Sequence, residues 1–114
     1  MQEIVSLAYS LHEMLLSSNE YKALKEAENI MLNDKISSQL INEYHTLQQK
    51  YNFNKTDEVL TMLSNAKLNM DNNELVIKYK NAYKQYQILV GNITSIVFEG
   101  YKSDTLLDKI IKAK

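Results

Sequence analysis

Cysteine and proline are absent from the 114 residues of this chain, and glycine occurs only twice. Without cysteine, the chain can form no disulfide, no thiolate nucleophile and no cysteine-ligated zinc or iron–sulfur site. Without proline, and with two glycines, it has few residues that interrupt a helix and too few glycines for a phosphate-binding loop. These absences favour an all-helical fold and exclude several classes of enzyme.

Arginine is absent as well, since all 13 basic residues are lysine, and the net charge is −1. Arginine makes most of the bidentate contacts to guanine and phosphate, so this composition does not favour nucleic-acid binding. The most apolar run, residues 88–98, is too short to span a bilayer, and the N-terminus lacks the basic start of a signal peptide. We therefore expect a cytoplasmic protein without membrane insertion.

Apolar residues recur with helical spacing along nearly the whole chain. The pattern predicts one domain over residues 1–114, an all-α bundle of about five to six helices organised around one long helix at about residues 72–99. Its stripe alternates spacings of four and three. The members of that stripe are Leu75, Tyr79, Ala82, Tyr86, Leu89, Ile93 and Ile96. Only Asn72-Asn73 separates this helix from the preceding one, so helices four and five are either separate or one kinked helix.

Short polar side chains mark the expected helix starts, because they can accept hydrogen bonds from the free amides of a first turn. The predicted N-caps of helices two to five are Ser17, the pair Asn33-Asp34, Thr56 and either Asp71 or Asn72. Phe53 is the one apolar residue of a polar loop at residues 52–55, so we expect it to pin that turn to the bundle. A sixth helix is predicted at residues 104–113, capped by Ser103.

Two histidines and several glutamates are the candidates for catalysis or metal binding. His12 and Glu13 begin like a zinc-protease motif, but Leu16 occupies the position of the required second histidine. His45 lies on a different predicted helix. The glutamates share a charged face, where nothing would desolvate them for acid–base chemistry. The sequence therefore predicts no catalytic residue, no metal site and no cofactor.

Lysines alternate with tyrosines between residues 78 and 86, a pattern that can combine phosphate contacts with base stacking. The candidate nucleic-acid contacts are Lys78, Lys80 and Lys84. However, helical geometry places the tyrosines on the apolar face and Lys80 and Lys84 on the opposite side. A core tyrosine ladder beside a solvated lysine face is the favoured interpretation, and a weak RNA-binding module is the alternative.

The end of the long helix is apolar on more than one face, because Ile88 and Phe98 lie off the main stripe. A helix that is apolar nearly all round is either buried centrally or covered by a partner. We favour a subunit interface in a homo-oligomer, a dimer or larger. The predicted interface residues are Ile88, Leu89, Ile93, Ile96, Val97 and Phe98.

Three features follow one another between about residues 4 and 99. They are the segment NEYKALKEA at residues 19–27, the break at Asn33-Asp34 before a helix with Tyr44, Leu47 and Tyr51, and a closing pattern of Asp71-Asn72-Asn73-Glu74, Tyr79-Lys80 and Leu89-Val90-Gly91-Asn92-Ile93. This arrangement resembles the YlbF/YmcA/YheA family of small helical bacterial proteins.

The resemblance implies a cytoplasmic, oligomeric all-α regulator without enzymatic activity. Better-known relatives form a complex that modulates the endoribonuclease controlling mRNA maturation, and so affect competence, sporulation and biofilm formation. The partners implied here are sister family members or an endoribonuclease complex. Some relatives carry a cysteine-bearing C-terminal extension linked to iron–sulfur clusters, and the absence of cysteine removes that role from this chain.

Overall fold

The computed structural model describes residues 1–99, which form helices and no strand. The helices are α1 (Gln2–Leu16), α2 (Asn19–Asn33), α3 (Lys35–Phe53), α4 (Asp57–Asp71) and α5 (Glu74–Thr94), and a π-helical turn (Ser95–Glu99) extends α5. The predicted all-α fold is confirmed, and α4 and α5 are separate helices. The helix predicted at residues 104–113 lies outside the described residues.

Side-chain caps begin four of the five α-helices within residues 1–99. Thr56 caps α4 as predicted, and of the predicted pair Asn33-Asp34 it is Asp34 that caps α3, because Asn33 is the last residue of α2. The predicted cap Ser17 is wrong, because its own backbone amide still bonds to carbonyls of α1; the α2 cap is Ser18, whose hydroxyl accepts from the amide of Tyr21 at 3.1 Å. An N-cap needs an extended backbone.

The same rule decides the start of α5. Asn72 has a helical backbone, with φ −89° and ψ −4°, and ends α4. Asn73 is extended, with φ −75° and ψ 130°, and its side-chain oxygen accepts from the amides of Leu75 and Val76. The predicted caps Asp71 and Asn72 are therefore wrong by one or two positions.

The buried core lies between α2, α3, α4 and the first turns of α5. Its apolar members are Leu24, Met31, Leu47, Val59, Ala66 and Val76. The rings of Tyr21 and Tyr86 lie 5.6 Å apart, while the end of α2 lies beside Leu75, so α2 and α5 run antiparallel. α1 contributes no buried residue to this core.

Phe53 does not pin a turn to the bundle. It is the last residue of α3, and 93 % of its surface is exposed. The prediction placed it in a loop, whereas the helix continues through it and directs its side chain into solvent.

Ser37 joins the start of α3 to the start of α5. It is fully buried, and its hydroxyl oxygen lies 2.9 Å from a carboxylate oxygen of Asp34 and 2.9 Å from the amide oxygen of Asn73. The hydroxyl has one proton to share between these two acceptors. Because Asp34 and Asn73 are themselves N-caps, this contact sets the direction in which α5 leaves the core.

This junction should make the fold sensitive to acid. The backbone amide of Ser37, and then its hydroxyl, hold the pKa of Asp34 below its ordinary value of 3.8. A lowered folded-state pKa stabilises the protein above the unfolded-state pKa, and this contribution is lost as the pH falls through the folded-state value. We therefore expect the urea midpoint to fall below about pH 4.

Asp34→Asn is the matched variant, because asparagine also caps helices but carries no titratable carboxylate. Urea unfolding followed by circular dichroism should show a smaller acid loss in Asp34→Asn than in the wild type. Equal losses in the two proteins would mean that Asp34 does not govern the acid response.

The described chain is far more extended than a compact domain of its length. Its radius of gyration is 19.8 Å and its longest dimension is 52 Å, whereas about 100 residues folded compactly give about 13 Å. The end of α5 continues beyond the core, and α1 runs beside it. We call α1 together with residues 90–99 the arm.

Candidate interaction surface

The surface of α1 is apolar around more than half of its circumference. At 3.6 residues per turn, the polar residues Gln2, Glu3, Ser6, Ser10 and Glu13 fall within an arc of roughly 100°. The remaining residues are apolar apart from His12. A helix that packs on one neighbour needs only a stripe of about that same width to be apolar, so α1 has more apolar surface than one contact would use.

An apolar cleft of about 510 Å³ lies between α1 and the end of α5. Its lining residues are Ile4, Leu7, Ala8, Leu11, Leu15, Val90, Ile93, Thr94, Val97 and Phe98. Thr94 is the one polar side chain among the described residues that line it, and its hydroxyl donates to the backbone carbonyl of Val90 at 2.8 Å. With that hydroxyl bound to its own helix, the cleft presents an apolar surface.

The opposite flank of α1 is also uncovered. A shallow depression there is lined by Ile4, Val5, Ala8, Tyr9 and His12. Leu7 in the cleft and Tyr9 on this flank are each 70 % exposed. Both flanks of the same helix therefore lack cover from the described residues of this chain.

The six predicted interface residues all lie in the second half of α5 or in the π-helical turn. Ile93, Val97 and Phe98 line the cleft. Ile88 and Ile96 are exposed elsewhere on this end of the molecule, and Leu89 is partly buried. The structure brings half of the set to one cleft, and their role in an interface stays a prediction.

The α1 side of the cleft was not predicted from the sequence. Residues such as Ile4, Leu11 and Leu15 share a helical face, which by itself indicates only packing inside a bundle. The signal that could have identified the arm is the width of the apolar arc, because Val5 and Tyr9 lie outside that face. An apolar arc so wide on a helix at the end of a small bundle indicates a second contact.

The three candidate nucleic-acid contacts, Lys78, Lys80 and Lys84, are exposed on α5. Lys80 forms an ion pair with Asp71 at the end of α4. That carboxylate offsets part of the positive charge that a phosphate would meet. The RNA-binding alternative stays a prediction.

The tyrosines of α5 are less buried than the predicted core ladder. Tyr79 and Tyr86 are partly buried, and Tyr83 is half exposed. The ring of Tyr79 lies 6.3 Å from that of Tyr83, and Tyr86 packs on Tyr21 of α2. The ladder is therefore formed at the rim of the bundle, and Tyr83 does not belong to the core.

The histidines do not come together. His12 lies on the arm, whereas His45 lies on α3 beside Tyr44, with ring centroids 5.9 Å apart. Within residues 1–99, no three histidine, aspartate or glutamate side chains are placed to hold a metal ion. Across the same residues, every helix is too short or too polar to cross a membrane.

A family model described as control of competence regulator ComK, YlbF/YmcA, matches residues 4–100. The match includes α1, the core helices and the end of α5, so both sides of the cleft fall within it. No curated protein and no solved structure is similar enough to match.

Proposed function

We propose that this chain, which belongs to the YlbF/YmcA family of competence control, is a non-enzymatic cytoplasmic regulator. It would act by contact with other proteins. Family membership supports a regulatory role in competence. The finer proposal is that the protein works as an adaptor, which changes the activity of a partner by binding it.

The observation that carries this proposal is the uncovered apolar arm. Within residues 1–99, two flanks of its helix α1 have no covering side chains. Exposed apolar patches of this kind mark protein contacts, because burying them against a partner removes apolar surface from water.

We further propose that the regulated process is mRNA processing, with effects on competence, sporulation and biofilm formation. The family resemblance supports an endoribonuclease complex or a sister family member as the partner. Without cysteine, this chain would contribute surface to such a complex and no iron–sulfur cluster.

Affinity purification of the tagged full chain from its own cells, followed by mass spectrometry, tests the proposal. We expect an endoribonuclease or a sister family member to be enriched over cells that carry the tag alone. Deleting the gene should also lower competence and change the cleavage pattern of mRNA, measured by mapping 5′ ends.

A deletion strain with unchanged competence and unchanged mRNA ends would contradict the proposal. So would recovery of neither class of partner above the background of the tag. Enrichment of RNA without protein, lost as the salt concentration rises, would instead support the RNA-binding alternative.

A further inference from the structure

We propose that residues 100–114 turn back over the cleft between α1 and the end of α5, so that the free chain covers this cleft with its own following segment. The inference rests on the proposed function in one respect, because it takes the cleft as a surface that protein partners use. It goes beyond that function by naming what occupies the cleft before a partner binds.

The first support is the position of the segment relative to the cleft. Val97 and Phe98 line the cleft, and residues 100–114 follow them almost directly. Four residues, 100–103, precede the helix predicted at residues 104–113, and connections of about two to eight residues commonly join the helices of a bundle. A helix that reverses direction there would run back along the α5 wall of the cleft.

The second support is length. The predicted helix has ten residues, so it would be about 15 Å long at about 1.5 Å per residue. The α1 wall of the cleft extends from Ile4 to Leu15 and the α5 wall from Val90 to Phe98. At the same rise these walls are about 17 Å and about 12 Å long. The segment therefore has the length of the cleft that it follows.

The third support is the apolar pattern of the segment. Its four large aliphatic side chains fall within an arc of roughly 140° on a helix of about 3.6 residues per turn, and every charged residue of the predicted helix lies outside that arc. The four are Leu106, Leu107, Ile110 and Ile111. A single stripe of this width suits one apolar surface, and the described lining of the cleft is apolar apart from Thr94.

The fourth support is charge complementarity. The charged side chains of α1 are two carboxylates, Glu3 and Glu13, and residues 90–98 have none. Residues 100–114 contain four lysines and two aspartates, which gives the segment a net charge of +2. A positive segment is attracted to a surface whose charged groups are negative, and it is held there in preference to an acidic one.

The segment would act as an autoinhibitory strap. With one apolar stripe it covers the cleft but not the other flank of α1, which is lined in part by Val5, Tyr9 and His12. That flank stays accessible for a first contact with a partner. A partner that also uses the cleft has to displace the segment, so its apparent affinity falls in proportion to the fraction of chains with an open cleft.

Disulfide trapping in the purified full chain tests the proposal. The chain has no cysteine of its own, so every thiol is an introduced one. Leu7→Cys combined with Leu107→Cys, and separately with Ile110→Cys, places one thiol on the α1 wall and one on the segment. A disulfide needs Cβ atoms about 4 Å apart, so we expect an added oxidant to link at least one pair within a single chain of about 13.2 kDa.

Ser6→Cys is the matched control, since it lies beside Leu7 in the sequence but in the polar arc of α1. Combined with Leu107→Cys or Ile110→Cys, it should stay reduced under the same conditions. Leu7 is 70 % exposed, so its replacement should leave the helical circular dichroism unchanged.

The rate at which a maleimide labels Leu7→Cys is a second measurement. It should rise about tenfold or more when Ile110→Asp places a charge in the apolar stripe of the segment, because the covered state would then bury that charge without a partner. Thr105→Asp adds the same charge on the polar side of the predicted helix and should leave the labelling rate unchanged.

Either of two results would overturn the proposal: no intrachain link in both test pairs, or equal linking of the Ser6→Cys controls. Links that join two chains, at twice the mass, would assign the cleft to a second copy and overturn it as well. Equal labelling rates with and without Ile110→Asp would show that the segment leaves the cleft open. Because purified protein is used, these results do not depend on whether the cellular partners of the proposed function are found.

Discussion

Leu24→Ala should lower the free energy of unfolding by about 2–5 kcal/mol. Leu24 is 7 % exposed and lies on α2, the helix that packs against both α5 and α3. Truncation removes apolar contacts and leaves a cavity that the surrounding helices fill only in part. Since whole domains are stable by about 5–15 kcal/mol, this loss would bring the protein close to unfolding.

Phe53→Ala is the control for that measurement. It removes a larger apolar side chain, but one that is 93 % exposed, so the free energy of unfolding should change by no more than about 0.5 kcal/mol. The comparison uses urea unfolding of the wild type, Leu24→Ala and Phe53→Ala at one fixed protein concentration. The concentration is fixed because self-association would make the measured free energy of unfolding depend on it. A larger loss of unfolding free energy in Phe53→Ala than in Leu24→Ala would mean that Phe53 is covered in solution and that Leu24 is not a core residue.

Asn73→Ala should cost about 1–3 kcal/mol of unfolding free energy. Its side-chain oxygen accepts from the amides of Leu75 and Val76 and from the hydroxyl of the fully buried Ser37. Alanine supplies no acceptor, so the first turn of α5 loses its cap and α3 loses its polar link to α5. Asn72→Ala is the neighbouring control, since Asn72 is exposed and has a helical backbone that alanine also adopts.

A double-mutant cycle separates the cap from the link between helices. If Ser37 and Asn73 interact as the structure places them, Ser37→Ala combined with Asn73→Ala should cost less than the two single changes together, by about 0.5–1.5 kcal/mol. Strict additivity would show that the hydroxyl of Ser37 serves Asp34 alone. The same cycle with Asn72→Ala in place of Asn73→Ala should be additive.

Variants of the core and variants of the arm act on different parts of the molecule. Changes at Leu24 or Asn73 weaken the core. Leu7→Asp and Phe98→Asp change exposed side chains on the two walls of the cleft, so they remove apolar surface from the arm and leave the core intact. Competence measured for both sets, beside the wild type, would show whether regulation needs only a folded chain or also its arm.

Much of the helical architecture could be predicted from residue types alone. Thr56 was identified as a cap, and Asp34 as a member of the pair Asn33-Asp34, because a short polar side chain before an apolar repeat is a local signal. Ser18 and Asn73 were missed by one or two positions, because two adjacent polar residues are equally able to cap. The conformation of the preceding helix end decided between them: Ser17 and Asn72 still have helical backbones.

The candidate surface was predicted in part. Ile93, Val97 and Phe98 lie in the cleft as members of the predicted set, because surplus apolar residues on one helix are visible in its periodicity. The opposite wall, with Leu7 and Leu11, could not be assigned, since periodicity states the direction of a side chain but not which helix lies opposite.

The sequence by itself determined an all-helical chain, the absence of thiol chemistry and the approximate position of each break, because these follow from residue composition and from local hydrogen bonding. Only the tertiary structure decided which apolar faces are core and which are arm. Leu24 on α2 and Leu7 on α1 both belong to apolar stripes with helical spacing, yet Leu24 is buried and Leu7 is exposed. Burial depends on what the remaining helices place opposite a face, and within residues 1–99 they surround α2 while leaving both flanks of α1 uncovered.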